Sequence, residues 1–482
     1  VVYSGSSPFT QAVVSESPFV RSLEVIGMTT NWNVMAAVTN GTDYLRDLAD
    51  TYLPQEPRED DTAWQTRIDR SVLSPYTSRL IETAAGAILR KPIHIEGDQY
   101  WLDLAQNIDG IGSNINEYAR RALVSSMTFG HSAILVDYPP IGNARTLAEE
   151  RALGRRPYFI HVDAPQIWGW RQESTMPGSR LTQVRIHEYT TLPINEFGED
   201  QVEQMRVIYP GRYDLYTLGQ ETVNVYESGT YSLDEIPLVP IYSNRRGMLR
   251  SQPPLLDIAN LNITHYQRQA DLIHALHIAA MPTLVLEGWD DTTGPVAMGV
   301  NYAISMTPGN KAYYVQADAT SFDAQMSEIQ ALEGQMSTLG ITKLFGQKFV
   351  AESAEAKRID QAQSNSVLAI VSQELESALN QAFALAAQYV GIEPPEISID
   401  RDFDYYRLIG QDVAVLSQLN SAGKISDAML LEILRRGEIL PDDTNIEEEL
   451  TNVEGSDLVE TAQTAETPDM EDETGPETSP SS

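Results

Sequence analysis

The sequence predicts an α+β fold with its strands and helices segregated along the chain. Three observations carry this. Helical periodicity marks residues 60–89 and 115–129 and most of the chain beyond residue 253. Short β-branched and aromatic runs fill residues 157–242, separated by turn signals. A second, smaller strand-like stretch, 282–316, lies between two helical ones.

Taken in order, Asp60 to Leu89 has apolar residues at helical spacing and a break at Pro75, so two short helices are expected there. Ile115 to Phe129 reads as a helix closed by Gly130 in a left-handed cap, followed by a buried strand, Ser132 to Val136. Strands are then expected at Tyr158–Val162, Thr182–Thr190, Gln204–Tyr209, Tyr213–Thr217, Asn224–Tyr231 and Leu238–Tyr242, as an antiparallel meander. After Pro253-Pro254, an apolar stripe including Leu255, Ala259, Ile263, Tyr266 and Ala270 predicts a helix reaching Pro282. Strands Thr283–Leu286, Tyr302–Met306 and Ala312–Val315 follow, then a helix from Phe322 to Leu339 with Met326, Ile329 and Met336 on one face. Gly340 to Glu352 interrupts the pattern. Ser353 then caps an Ala-rich helix, Ala354 to Val390, with more apolar length than one subunit is expected to cover. Ile397 to Tyr405 reads as a short acidic strand. Gln411–Leu419 and Asp427–Arg436 read as a helical hairpin turned at Ala422-Gly423, with Ser426 as N-cap.

Composition excludes whole classes of function. The 482 residues hold 68 Asp and Glu against 33 Lys and Arg, a net charge of −35, so tight binding along a phosphate backbone is ruled out. The absence of cysteine removes disulfides, thiolate metal sites and a cysteine nucleophile. The first ten residues show no signal peptide, and no apolar run is long enough for a membrane span, so a soluble protein made inside the cell is expected. From Asp442 onward there are fourteen acidic residues and no basic one, and this tail is expected to be disordered.

Candidate chemistry is sparse. There is no phosphate-binding loop, nucleophile elbow or His-Glu-x-x-His motif. Gly110-Ile111-Gly112 has Ile115 where a dinucleotide fingerprint needs glycine, and a surface turn is the simpler reading. His274 and His277, with Asp271 and His265 nearby, have a helical spacing open to a metal, against solvated or interfacial side chains. Asp400, Asp402 and Asp404 alternate on the expected strand, open to a divalent cation or an acid–base pair, or to pairing with Arg401 and Arg407. The hairpin 411–436 superficially resembles a DNA-reading helix-turn-helix. Its second helix, however, brings Asp427 and Glu432 where base-reading Arg, Asn or Gln would be needed. Trp168 and Trp170 fit a ligand platform or, more simply, sheet core.

Several stretches, in this order and spacing, resemble the portal proteins of tailed bacteriophages, and among them a little-characterised phage subgroup. They are Tyr52-Leu53-Pro54 with Glu56-Pro57, the run Ala85 to Pro92, and Gly130 with Ile134 to Pro139. Further along come Arg156-Pro157-Tyr158, the helix start Pro253 to Ala259 with Asn262 and His265-Tyr266, and Met336 to Gly340. The resemblance implies a portal-like architecture: a wing over 1–252, stem helices at 253–280 and 321–340, and a clip at 281–320. It further implies a tunnel loop at 341–352, a long helix at 353–391, a wing return at 392–410, a crown at 411–441 and the acidic tail at 442–482.

What the resemblance implies about function is a non-enzymatic ring, usually of twelve subunits, at one capsid vertex of a virion assembled in the bacterial cytoplasm. Double-stranded DNA would pass through it in packaging and ejection, touched transiently and without sequence preference. The implied partners are the terminase large subunit, a head–tail adaptor and the major capsid protein, with no cofactor, metal or membrane. The DNA-facing residues would be Lys343, Phe345, Gly346, Lys348 and Phe349 of the tunnel loop. An acidic body suits a conduit in which phosphates must slide. Another head-completion or capsid protein, and less readily an enzyme with an unrecognised carboxylate site, are the alternatives.

Overall fold

The computed structural model describes residues 17–139, 155–175, 178–218, 223–279, 283–287, 309, 311–315, 320–345, 354–401, 410–436 and isolated positions up to 451. Side chains at 341–345 and 354–367 lie outside that description. The chain divides into two compact units, Val1–Arg401 and Asp402–Ser482.

The first unit opens with helices α1 (Leu23–Thr39), α2 (Thr42–Asp47), α3 (Ala49–Tyr52), α4 (Asp61–Arg70) and α5 (Tyr76–Ile88). The break between α4 and α5 falls before Pro75, where the sequence places it. Asp60 caps α4 by accepting from the amides of Thr62 and Ala63. A short strand β1 (His94–Glu96) leads to α6 (Gln99–Ala105) and α7 (Ile115–Phe129). Asn114 and Glu117 form a reciprocal capping box on α7, and Gly130 at φ 91° ends it, so both boundaries follow from local chemistry.

Strands β2 (His131–Asp137), β3 (Tyr158–Asp163), β4 (Ile167–Thr175), β5 (Gly178–Pro193), β6 (Glu199–Tyr209), β7 (Arg212–Leu218), β8 (Val223–Thr230), β9 (Leu238–Tyr242), β10 (Arg245–Gly247) and β11 (Arg250–Ser251) follow. They form an antiparallel three-stranded sheet ordered β3-β2-β9 and a five-stranded meander β4-β5-β6-β7-β8. β4 is an addition to the expected strands. Its pairing with β5 slips between Ile167 and Gly169 and again between Arg171 and Gln172, which spoils the alternation a sequence reading depends on. Trp168 and Trp170 are half-buried on this strand, and Trp168 stacks on His187 at 4.2 Å between centroids.

Helix α8 (Leu256–Ala279), the hairpin strands β12 (Thr283–Leu286) and β13 (Ala312–Val315), and helix α9 (Thr320–Phe345) come next. The expected strand at 302–306 lies outside the described residues. Helix α10 (Ala354–Val390) runs its full expected length, and β14 (Glu396–Ser398) pairs with β1. Of the acidic strand expected over 397–405, the strand ends at Ser398, 399–401 lie outside any strand, and 402–405 lie outside the described residues. Asp400 sits beyond it, 2.9 Å from Lys91, and Asp402 and Asp404 lie outside the described residues.

The core corrects one expectation. Over 368–390, one face of α10 is covered by its own subunit, where Leu375, Leu379, Ala382, Phe383 and Ala386 are fully buried, while Ile370 stays 57% exposed. Phe383 meets Trp101 at 5.7 Å and Phe159 at 5.2 Å, and Phe159 meets Tyr118 at 6.2 Å. This aromatic chain ties α6, α7, β3 and α10 together, each ring contributing roughly 1.5–3 kcal/mol by burial.

In the second unit, α11 (Gly410–Ser421) and α12 (Asp427–Arg436) form the expected helical hairpin. Gly423 at φ 68° makes the turn, and Ser426 Oγ accepts from the Met429 amide.

Candidate functional site

Part of the sequence that the resemblance singles out, Tyr52 to Pro54, Asn262 with His265-Tyr266, and Met336 to Gly340, meets on α8 and α9. The two helices run antiparallel: His265 Nε2 meets Glu333 at 3.1 Å while Arg268, almost a turn further on, meets Glu328 at 3.4 Å, five residues earlier. Each is about 36–39 Å long at 1.5 Å per residue, and the β12–β13 hairpin lies between them in the chain.

Their inner ends sit in a socket made by residues 52–80. Arg67, 4% exposed, is the keystone. Its guanidinium donates to both Glu59 oxygens at 2.9 and 2.7 Å, to the Pro54 carbonyl at 2.8 Å, and to Asp271 on α8 at 3.0 Å. The forked geometry matches the carboxylate, as only arginine can. The hydrogen bond from Arg67 holds the Glu59 carboxyl below its ordinary range, whereas burial pushes Asp271 up against the opposing pull of Arg67.

Asn262, fully buried, accepts from the Thr77 amide at 3.2 Å and hydroxyl at 3.1 Å and donates to the Ser74 carbonyl at 2.9 Å. Tyr266 shares a 2.8 Å hydrogen bond with Ser71, and Gln267 donates to the Tyr52 carbonyl. The Tyr76 ring stands edge-on to His265 at 5.7 Å, and burial, then the charge of Glu333, raise its pKa. On α9, Met336 is fully buried and Gly340 passes so close to Leu80 that an added Cβ would lie 3.2 Å from its Cγ and 2.9 Å from its Cδ2. The ion pairs and hydrogen bonds hold the helix pair in place, and these charged groups have charge partners.

The open metal reading loses its ligands to this socket, since Asp271 is engaged by Arg67 and His265 by Glu333. Among the described residues, no group of three or more His, Asp or Glu is placed to hold a metal ion. Gly110 and Gly112, at φ 79° and 111°, flank an Ile111 that is 83% exposed, forming a turn. Burial alone would raise the Asp109 carboxyl in that turn, but Ser113, the amides of Ile111 and Ser113, and Arg121 hold it down to about 2.

Of the five tunnel-loop residues, Lys343 and Phe345 fall in the last turns of α9, with their side chains outside the described residues. Gly346, Lys348 and Phe349 lie wholly outside them. The helix continues past Gly340 because that glycine serves a close approach to Leu80. Arg67 was missed by sequence reading, and no spacing rule could have found it: its partner Asp271 is 204 residues away.

The outer part of the pair is bare. From Asp323 to Glu328 every side chain of α9 is exposed, including Met326 at 44%, and Leu276 and Ile278 of α8 are 41% and 60% exposed.

Residues 254–390 match a family model described as "Domain of unknown function (DUF4055)", which covers the helix pair, its hairpin and the long helix. No curated protein matches the chain. Among solved structures, "Neck of native GTA particle computed with C12 symmetry" aligns over 79% of this chain and 94% of its own, at 14% identity and a TM-score of 0.40. "Neck of empty GTA particle computed with C6 symmetry" aligns over 78% and 93%, at 16% identity and the same TM-score of 0.40. "Virion of native gene transfer agent (GTA) particle" aligns over 76% and 90%, at 15% identity and a TM-score of 0.39. Likeness at that level carries no argument about function.

Proposed function

We propose that the chain is a portal-type subunit of a tailed-phage-like particle: one copy of a closed ring at a capsid vertex through which double-stranded DNA is packaged and ejected. The observation that carries this reading is the antiparallel pair α8–α9. It is locked at its inner end by Arg67, Asn262 and Gly340, yet leaves Leu276, Ile278, Met326 and Leu339 exposed in a single copy. A helix pair with exposed apolar side chains along its length calls for neighbours, and identical copies around an axis supply them. Three of the stretches resembling portal proteins, Tyr52 to Pro54, Asn262 with His265-Tyr266, and Met336 to Gly340, meet at this same socket, which supports the reading. So do the paired charges there, which favour a structural role over a catalytic one.

In this reading the terminase large subunit, the head–tail adaptor and the major capsid protein are the partners, and twelve is the expected copy number. Native mass spectrometry and negative-stain imaging of the purified chain test it: closed rings are expected, and a stable monomer at micromolar concentration, even beside capsid protein, would overturn it. The loop segment is tested separately. Lys343→Ala with Lys348→Ala is expected to leave rings intact while changing genome retention in a salt-dependent way.

A further inference from the structure

Strands β5 and β6 extend past the meander. Gln204 is the last residue of β6 paired with β7, and β4 pairs with β5 no further than Ile186. Beyond that point Tyr189–Pro193 pairs only with Glu199–Glu203. The result is a two-stranded arm of roughly 17 Å. A lone two-stranded ribbon is marginally stable in water and has two open edges.

The arm's tip is ordered by Asn195, whose side-chain oxygen accepts from the amides of Phe197 at 3.1 Å and Gly198 at 2.8 Å. That turn presents Phe197, 90% exposed, and Ile194, 67% exposed. Residues 187–203 carry five acidic side chains and no Lys or Arg. The arm is therefore an acidic ribbon with an apolar end.

A matching recess lies beside the other end of β5, where Arg180 and Leu181 meet residues 235–248 and α10. A cleft of about 410 Å³ is floored by Ile236, Leu238, Pro240, Met248 and Ala378, with Gln381 among its other lining residues. Its charged lining, Arg180 and Arg245 against Glu235 and Glu374, is balanced. The adjoining β10–β11 hairpin adds Arg246 and Arg250, neither with a carboxylate partner among the described residues. Arg245 has none either, and lies 4.9 Å over the Tyr242 ring. Leu249 locks this hairpin: it is fully buried at φ 50°, and its amide donates to the Tyr242 hydroxyl at 2.8 Å. In a chain with a net charge of −35, three arginines on one rigid turn with no carboxylate partner among the described residues suit an acidic partner.

We infer that the arm of one copy docks in the cleft of the next copy. Apolar Phe197 and Ile194 would meet the cleft floor, and the arm's carboxylates would meet Arg245, Arg246 and Arg250. The arm cannot reach its own cleft. Leu181 lines the cleft while Pro193 borders the tip, and twelve residues of one strand hold them roughly 40 Å apart. Tip and recess at opposite ends of one element make a head-to-tail contact, the kind that closes into a ring. This inference deepens the ring reading above and rests on it.

The lack of cysteine allows a silent-background test. Rings of the full chain carrying Phe197→Cys and Gln381→Cys, both at exposed positions, are treated with a short bifunctional maleimide. A ladder of covalent multimers is expected from the double variant. Neither single variant should yield a ladder, and co-assembled single variants should yield linked pairs. Separately, Ile194→Glu with Phe197→Glu should lower the ring fraction at least tenfold and leave the circular dichroism of the subunit unchanged. Imaged rings that give only intramolecular linkage, or none, would overturn the contact and leave the ring reading standing. A wild-type chain that never forms rings would remove both.

Discussion

Arg67 shows how much one side chain can hold. It is buried, and its ion pairs join a loop carboxylate, Glu59, to Asp271 on α8. Replacing it with Met should cost roughly 3–5 kcal/mol in urea unfolding, because two carboxylates lose their partner. Adding Glu59→Leu and Asp271→Leu to that variant should recover much of the loss, since the cost is unpaired charge and not lost volume. His131 makes a second residue-scale case. It is 1% exposed, its Nδ1 lies 2.7 Å from the Ser251 hydroxyl, and burial depresses its pKa to about 3. The unfolded chain, with a value near 6.5, takes up the proton first. Stability from this group is therefore complete above about pH 6.5 and is lost as pH falls toward 3. Thermal melts should show a loss of roughly 2 kcal/mol between pH 7 and pH 5, and His131→Gln should flatten that slope.

At the scale of elements, the crossing of α9 over α5 depends on the absence of a side chain at Gly340. Val at that position would collide with Leu80 and should cost roughly 1–3 kcal/mol. Leu80→Ala in the same chain should recover most of it, and a double-mutant cycle measures the coupling. Elements with chemical punctuation were legible beforehand. Helix α7 has both its caps in the sequence, and α4 and α5 are separated at Pro75. Strand β4 was not legible, because its two slips in register and the room that Gly169 leaves for the Arg185 guanidinium are properties of the paired sheet. Likewise Gly340 looked like a helix stop, and only its neighbour Leu80 reveals it as a crossing point.

For the whole molecule, the fourteen acidic residues from Asp442 onward repel one another and bring little apolar surface. Deleting residues 443–482 should leave ring assembly unchanged by native mass spectrometry. Loss of rings in that truncation would assign the tail a structural part. The body keeps a strong negative charge without it, so a conduit of these copies would still hold DNA weakly at physiological salt.

The sequence by itself determined the segregated α+β order, the helix boundaries set by caps and prolines, the exclusion of sulfur chemistry, and the acidic balance. These depend on neighbours within a few residues or on composition, so no fold is needed to read them. Tertiary structure alone decided the rest. It brought Arg67 to Asp271 across 204 residues, gave Asp271 an ion pair and His265 a hydrogen bond to Glu333 where a metal had been open, and buried one face of residues 368–390 of the long helix within its own subunit. It also set the acidic arm at one end of β5 and the cleft that Leu181 lines at the other. Partners so distant along the chain leave no periodic trace in the sequence, because the free energy that pairs them comes from desolvation and geometry that exist only once the chain has folded.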